Sequence, residues 1–155
     1  MKRLDIGSLA LFAVSLWLHG APAVAAPESQ LERIAAQALA ARQKMMQVDA
    51  APADVDAFLA FFTDDLVYED PVVKMKIEGK DTIRKGMTGF LGATRNARIV
   101  VTGRLSAANV VVLGQTVSFD SREEGQPWKP QSRQQVTVFE FEGTRIRRIA
   151  DYWSR

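Results

Sequence analysis

The hydrophobic period of this chain changes once, near Thr94, and that change limits the folds open to it. Before Thr94 the apolar residues recur at helical spacing. Leu31, Ile34, Ala35, Ala38 and Leu39 form one stripe within residues 28–47, and Met45 and Met46 continue it. Asp49-Ala50-Ala51-Pro52 breaks the pattern. Val55, Phe58, Leu59 and Phe62 then repeat the spacing, with Asp54 as the expected N-cap of a second helix. Ile83, Met87, Phe90 and Leu91 mark a third helix, expected to be capped by Asp81 and weakened at its end by Gly89 and Gly92. After Thr94 the pattern alternates. Residues 97–105, 110–123, 133–142 and 145–153 read as strands, separated by turns at Ala107-Ala108-Asn109, Gly125-Gln126-Pro127 and Glu142-Gly143. Helices first and antiparallel strands after predict an α+β domain, with helices packed on one face of a curved sheet.

The N-terminus predicts an address. Met1-Lys2-Arg3 is basic, and residues 9–18 (LALFAVSLWL) are apolar but too short to span a bilayer. Ala21-Pro22-Ala23-Val24-Ala25-Ala26 follows. This is the order of a secretory signal peptide, with cleavage expected after Ala25. Residues 26–155 are then one domain in the periplasm or outside the cell, with no membrane attachment. Losing Lys2, Arg3 and Asp5 takes the 20 basic and 18 acidic side chains of the full chain to 18 and 17. That balance leaves no electrostatic footprint for nucleic acid.

The composition also narrows the chemistry. The one histidine, His19, lies in the leader, and the chain has no cysteine. Ser-His and Cys-His nucleophile pairs, His-ligated or thiolate metal sites and disulfides therefore drop out. No calcium-loop spacing occurs, so neither a metal nor a cofactor is expected. Acid–base work at neutral pH falls to carboxyl, lysine or tyrosine side chains with shifted pKa values. Residues 61–91 supply a candidate. There a short strand at residues 66–70 places Asp70 before Pro71, with Leu66 and Tyr68 on the same face. Facing apolar helices, Asp70 would be buried, and desolvation would disfavour its charged form. An ordinary strand-end role is the other reading: Asp70 capping a turn or pairing with Lys74.

With these elements in order, the segments DDLVYEDP, Gly79 to Met87 and the terminal IADYW resemble the nuclear-transport-factor-2-like superfamily. The likeness is to its SnoaL-like and ketosteroid-isomerase-like branch and covers the whole of residues 26–155. The resemblance implies a cone-shaped barrel, a curved antiparallel sheet wrapped around three helices, with a pocket in the open end. It implies a homodimer and a small hydrophobic ligand. Asp70 takes the place of the isomerases' aspartate base. Their two oxyanion donors have no counterpart. The tyrosine position falls among Lys44, Met45 and Met46, and the late aspartate position on Thr137.

The last strand offers Asp151, sharing a face with Ile149 and Trp153. Cyclases of the superfamily are similar in using a late aspartate. The expected site is therefore Asp70 and Asp151 as acid–base pair, with Tyr68, Gln135, Thr137, Phe139 and Trp153 against the ligand. The epoxide-hydrolase branch adds an arginine, for which Arg98 and Arg133 are candidates. The expected activity is isomerase, cyclase or lyase chemistry on a small hydrophobic carbonyl or ring compound; the alternative is a non-catalytic binder or a sheet-mediated dimerisation module. Two acids opening into one cavity would favour an enzyme, and acids neutralised by arginines would favour a binder.

Overall fold

A computed structural model describes residues 29–154. The expected leader, residues 1–25, lies outside the described residues.

Three helices precede or interrupt a six-stranded sheet. They are α1 (Gln30–Met45), α2 (Pro52–Leu59) and α3 (Lys80–Gly89). The strands are β1 (Phe62–Asp70), β2 (Met75–Glu78), β3 (Thr94–Ala107), β4 (Val110–Ser121), β5 (Lys129–Glu142) and β6 (Arg145–Trp153). Their order across the sheet is β2-β1-β6-β5-β4-β3. The expected α+β layering is present, with two differences. β1 runs parallel to β6, so the sheet is mixed. β2 and β3 are both edges, so the cone stays open. Hydrophobic alternation reports that a segment is a strand and which side is buried, but it is blind to strand direction.

Helix starts also differ from expectation for local reasons. α1 begins with a capping box: Ser29 Oγ accepts from Glu32 N, and Glu32 returns a bond to Ser29 N. α2 begins at Pro52, whose fixed φ suits the first helical position; Ala51 is its N-cap. Asp54 sits three residues on and accepts from Ala51 N, rather than capping from outside. α3 is capped by Gly79, at φ 84°, which places Asp81 in the first turn.

The core lies between the helices and the inner face of the sheet. Ala35, Ala38 and Leu39 of α1 and Val55, Phe58 and Leu59 of α2 pack with Phe139, Phe141, Ile146 and Ile149. The Phe58 and Phe62 rings meet at 4.8 Å, tilted by 59°. A bulge at Arg147 lets Ile146 and Ile149 both face inward, since Phe141 pairs with Ile146 but Glu140 with Arg148. α1 is tied to the edge strand by amides. Gln43 Oε1 accepts from Ile99 N at 2.7 Å, and Gln47 Nε2 donates to Ala97 O at 2.9 Å. These bonds use backbone groups that an edge strand leaves unpaired. They also hold the C-terminal turn of α1 over the sheet, where the site lies.

Candidate functional site

The inward positions of β4, β5 and β6 change from apolar to polar at one level of the sheet. Phe139 and Ile149 are core, and the next inward pair is Thr137 opposite Asp151. Gln135 and Gln115 lie beside them, and all four are almost wholly buried. Burying this much polar surface is tolerable only if the groups bond to one another.

Asp151 is the centre of that network. Arg42, from α1, grips it with both terminal nitrogens, Nη1 to Oδ1 at 3.1 Å and Nη2 to Oδ2 at 2.7 Å. Tyr68 donates its hydroxyl to Oδ2 at 2.9 Å. Thr137 Oγ1 and Gln135 Nε2 donate to Oδ1 at 2.6 and 2.8 Å. Thr137 in turn accepts from Gln115 Nε2 at 2.6 Å. Gln115 Oε1 is buried and accepts no hydrogen bond from the described residues. Burial alone would raise the Asp151 carboxyl, but the Arg42 charge and these donors reverse the sign and hold it below the ordinary carboxylate value. Burial pushes the Tyr68 hydroxyl up, and the Asp151 charge adds to it while Arg42 opposes. Tyr68 is thus held neutral.

Asp70 is buried too, and it does cap a turn. Its Oδ1 accepts from Val72 N at 3.2 Å and Val73 N at 3.4 Å, around the tight turn that joins β1 to β2. Lys74 closes the turn at φ 57°, and no ion pair joins it to Asp70. Oδ2 accepts the indole N–H of Trp153 at 2.8 Å. The Trp153 ring carries the Arg133 guanidinium on its face, 4.7 Å from the centroid. Arg133 Nε donates to Gln135 Oε1 at 3.1 Å.

A cavity of about 250 Å³ opens above Arg42 and Tyr68, walled by Met45, Met46, Met87 and Phe90. A larger groove of about 940 Å³ runs between residues 89–94 and the β4–β5 turn. It contains none of the buried network, so the smaller cavity is the one next to chemistry. The Trp128 ring meets Arg95 and Arg122, whose guanidinium carbons stand 4.5 and 4.3 Å from its centroid.

The sequence-expected residues Tyr68, Gln135, Thr137 and Asp151 therefore meet in one network, and Trp153 joins Asp70 to Arg133. Phe139 is at 0% exposure in the core beneath them and cannot touch a ligand. Arg42 was not among the expected residues, although its position carried a signal. It follows Ala35, Ala38 and Leu39 on the buried stripe of α1, where a charge needs a partner. Gln115 carried one as well, at the inward position between Leu113 and Val117.

The sequence pattern of the SnoaL-like domain matches residues 43–149. The chain belongs to this SnoaL-like family. Arg42 and Asp151 fall just outside the matched span, so their ion pair is a feature of this chain that the match does not carry. Solved structures share the fold. A Shewanella putrefaciens protein described as a SnoaL-like polyketide cyclase has 16% identity over 81% of this chain and 90% of its own, with TM-score 0.68. An epoxide hydrolase of M. tuberculosis, of the LEH-like type, has 22% identity over 79% and 84%, with TM-score 0.60. A Catenulispora acidiphila protein of ketosteroid-isomerase-like fold, in complex with trimethylamine, has 19% identity over 78% and 85%, with TM-score 0.60. No curated protein matches the chain. At these identities the structures show the fold that the chain shares with them, and a fold of this kind hosts more than one activity.

Proposed function

We propose that this is an exported pocket protein that holds a small, largely apolar molecule by an oxygen atom placed against Arg42. The carrying observation is the pairing of an apolar methionine wall with one oriented cation. Asp151 takes two of the five N–H donors that an arginine possesses, and Arg42 is one of the residues that line the cavity. Such a site is apolar for affinity and polar at one point for orientation. Ligand pockets commonly span about 300–1,000 Å³, so a cavity of about 250 Å³ suits a single ring or a short chain. The address rests on the leader pattern of residues 1–25.

The catalytic alternative is isomerase, cyclase or lyase chemistry, favoured by the family and by two inward carboxylates. In that reading Arg42 takes up developing negative charge on a substrate oxygen. Asp151 has about four lone-pair sites and five donors, so it orients Arg42 and does not accept a proton. Asp70 accepts three bonds and keeps room for one more, which makes it the base.

Native mass spectrometry of protein purified from its own host tests the pocket. The expected result is a retained small molecule, lost from Met45→Trp, which fills the cavity. An empty wild-type protein that also shows no thermal shift with small cyclic ketones removes the pocket reading. Hydrogen exchange into such a ketone in D2O, abolished by Asp70→Ala, decides for catalysis.

A further inference from the structure

We propose that Arg133 is an anion subsite beside this pocket, so that the bound molecule is an apolar carboxylate. The proposal rests on the pocket reading above and specifies its ligand class.

Arg133 lies on the inward face of β5, two residues before Gln135. It does not line the cavity itself but lies within electrostatic reach of Arg42 and Tyr68, which do, and among the described residues no carboxylate pairs with it. Arg42 has Asp151, and Arg148, on the opposite face, has Glu69 and Glu140. The one hydrogen bond of Arg133 goes to a neutral amide oxygen, that of Gln135, and uses only Nε. Its two terminal nitrogens, the pair that grips a carboxylate side by side, are left over. The guanidinium is nevertheless fixed. It stacks on Trp153 at 4.7 Å and lies 5.8 Å from the centroid of Phe119.

The surroundings make this an unrelieved charge. Burial disfavours the Arg133 cation most, and the charge of Arg42 disfavours it further, while Asp151, Tyr68 and Asp70 oppose them only in part. Asp70 is near enough to act on it, but Trp153 stands between them: its ring face takes Arg133 and its N–H takes Asp70. The network links the subsite to the cavity. Arg133 bonds Gln135, Gln135 bonds Asp151, and Asp151 holds Arg42. A carboxylate on Arg133 would offset both the cost of its burial and the like charge of Arg42, while its apolar body lies toward the methionines.

Calorimetric titration with cyclohexanecarboxylate and its neutral isostere cyclohexanecarboxamide tests this. The wild-type protein is expected to prefer the carboxylate by about tenfold or more, since a charge-assisted pair contributes about twice a neutral bond. Added salt should erode the preference. Arg133→Gln should abolish it, weakening the carboxylate far more than the carboxamide, and Arg133→Lys should keep part of it. Equal binding of the two probes to the wild-type protein overturns the anion subsite and leaves the pocket. Equal weakening of both probes by Arg133→Gln overturns it too, because Arg133 would then only support Trp153. Binding of neither probe overturns the pocket reading and the subsite together.

Discussion

Burial takes the charge of Asp151 out of water, which by itself favours the protonated acid. Arg42, Tyr68, Thr137 and Gln135 win against that cost, and the net direction is downward. The ionised form is therefore the one that folding selects. A folded-state pKa below the unfolded value of about 3.9 contributes stability that is complete above about pH 4 and is lost as pH falls through the folded value. Asp151→Asn should remove this acid dependence. It should also cost about 3–5 kcal/mol at neutral pH, because Arg42 would be left buried against a neutral amide. Urea unfolding of both proteins between pH 7 and pH 3 measures the two effects. A variant as stable as the wild-type protein would mean that water, not Asp151, satisfies Arg42. The same arithmetic separates Asp151 from a general base. A carboxylate whose lone pairs are all in use has been turned into a fixed support for the cation beside the ligand.

Among the elements, the β1–β2 hairpin depends on Asp70 in a way its sequence only half disclosed. The strand-end position and Pro71 were legible, and so was the buried face shared with Tyr68. Trp153 as partner was not, because it arrives from β6 through the parallel pairing with β1. Asp70→Ala should free two turn amides and the Trp153 N–H, at a cost of about 1–3 kcal/mol for groups that lose a partner while half-buried. Chemical denaturation reads that cost, and a change below a few tenths of a kcal/mol would show the turn to be held by Pro71 and Lys74 alone. What the sequence made plain was whatever has a short period. The inner faces of β4, β5 and β6 followed from alternation, and the buried stripe of α1 from helical spacing. What it hid was whatever depends on distant partners. Arg42 and Asp151 are 109 positions apart, and neither contains a mark of the other. The bulge at Arg147 was hidden for a related reason, since only pairing with Glu140 and Phe141 defines it. Asp54 was read as an N-cap from its type, but Pro52 fixes the start of α2 earlier.

At the scale of the whole molecule, the sheet has one face covered by helices and one that is not. On the uncovered face Leu105 pairs with Val112 and Val112 with Val138, an apolar row across three strands. Val136 and Tyr152 form a second, shorter row beside it. Leu105 is 68% exposed, Val136 40% and Tyr152 43%, so these are water-facing groups and not a sealed layer. Glu69, Arg148 and Glu140 make an ion-paired border next to the apolar rows. An apolar centre beside a polar border is how a protein–protein interface is built, and contiguous apolar surface of this kind favours association. The occupant we propose is a second copy of this chain, related by a two-fold axis that sets the patch against itself. Sedimentation at micromolar concentration should give the mass of a dimer. Leu105→Arg and Val136→Arg should each yield monomer, since both would place a charge in the apolar centre of the contact. Their thermal midpoints, measured where the wild-type protein is dissociated by dilution, should match it, because neither side chain belongs to the core. A wild-type protein that stays monomeric at high micromolar concentration would leave this face to a different partner, and the pocket on the opposite side of the sheet would then work within a single chain.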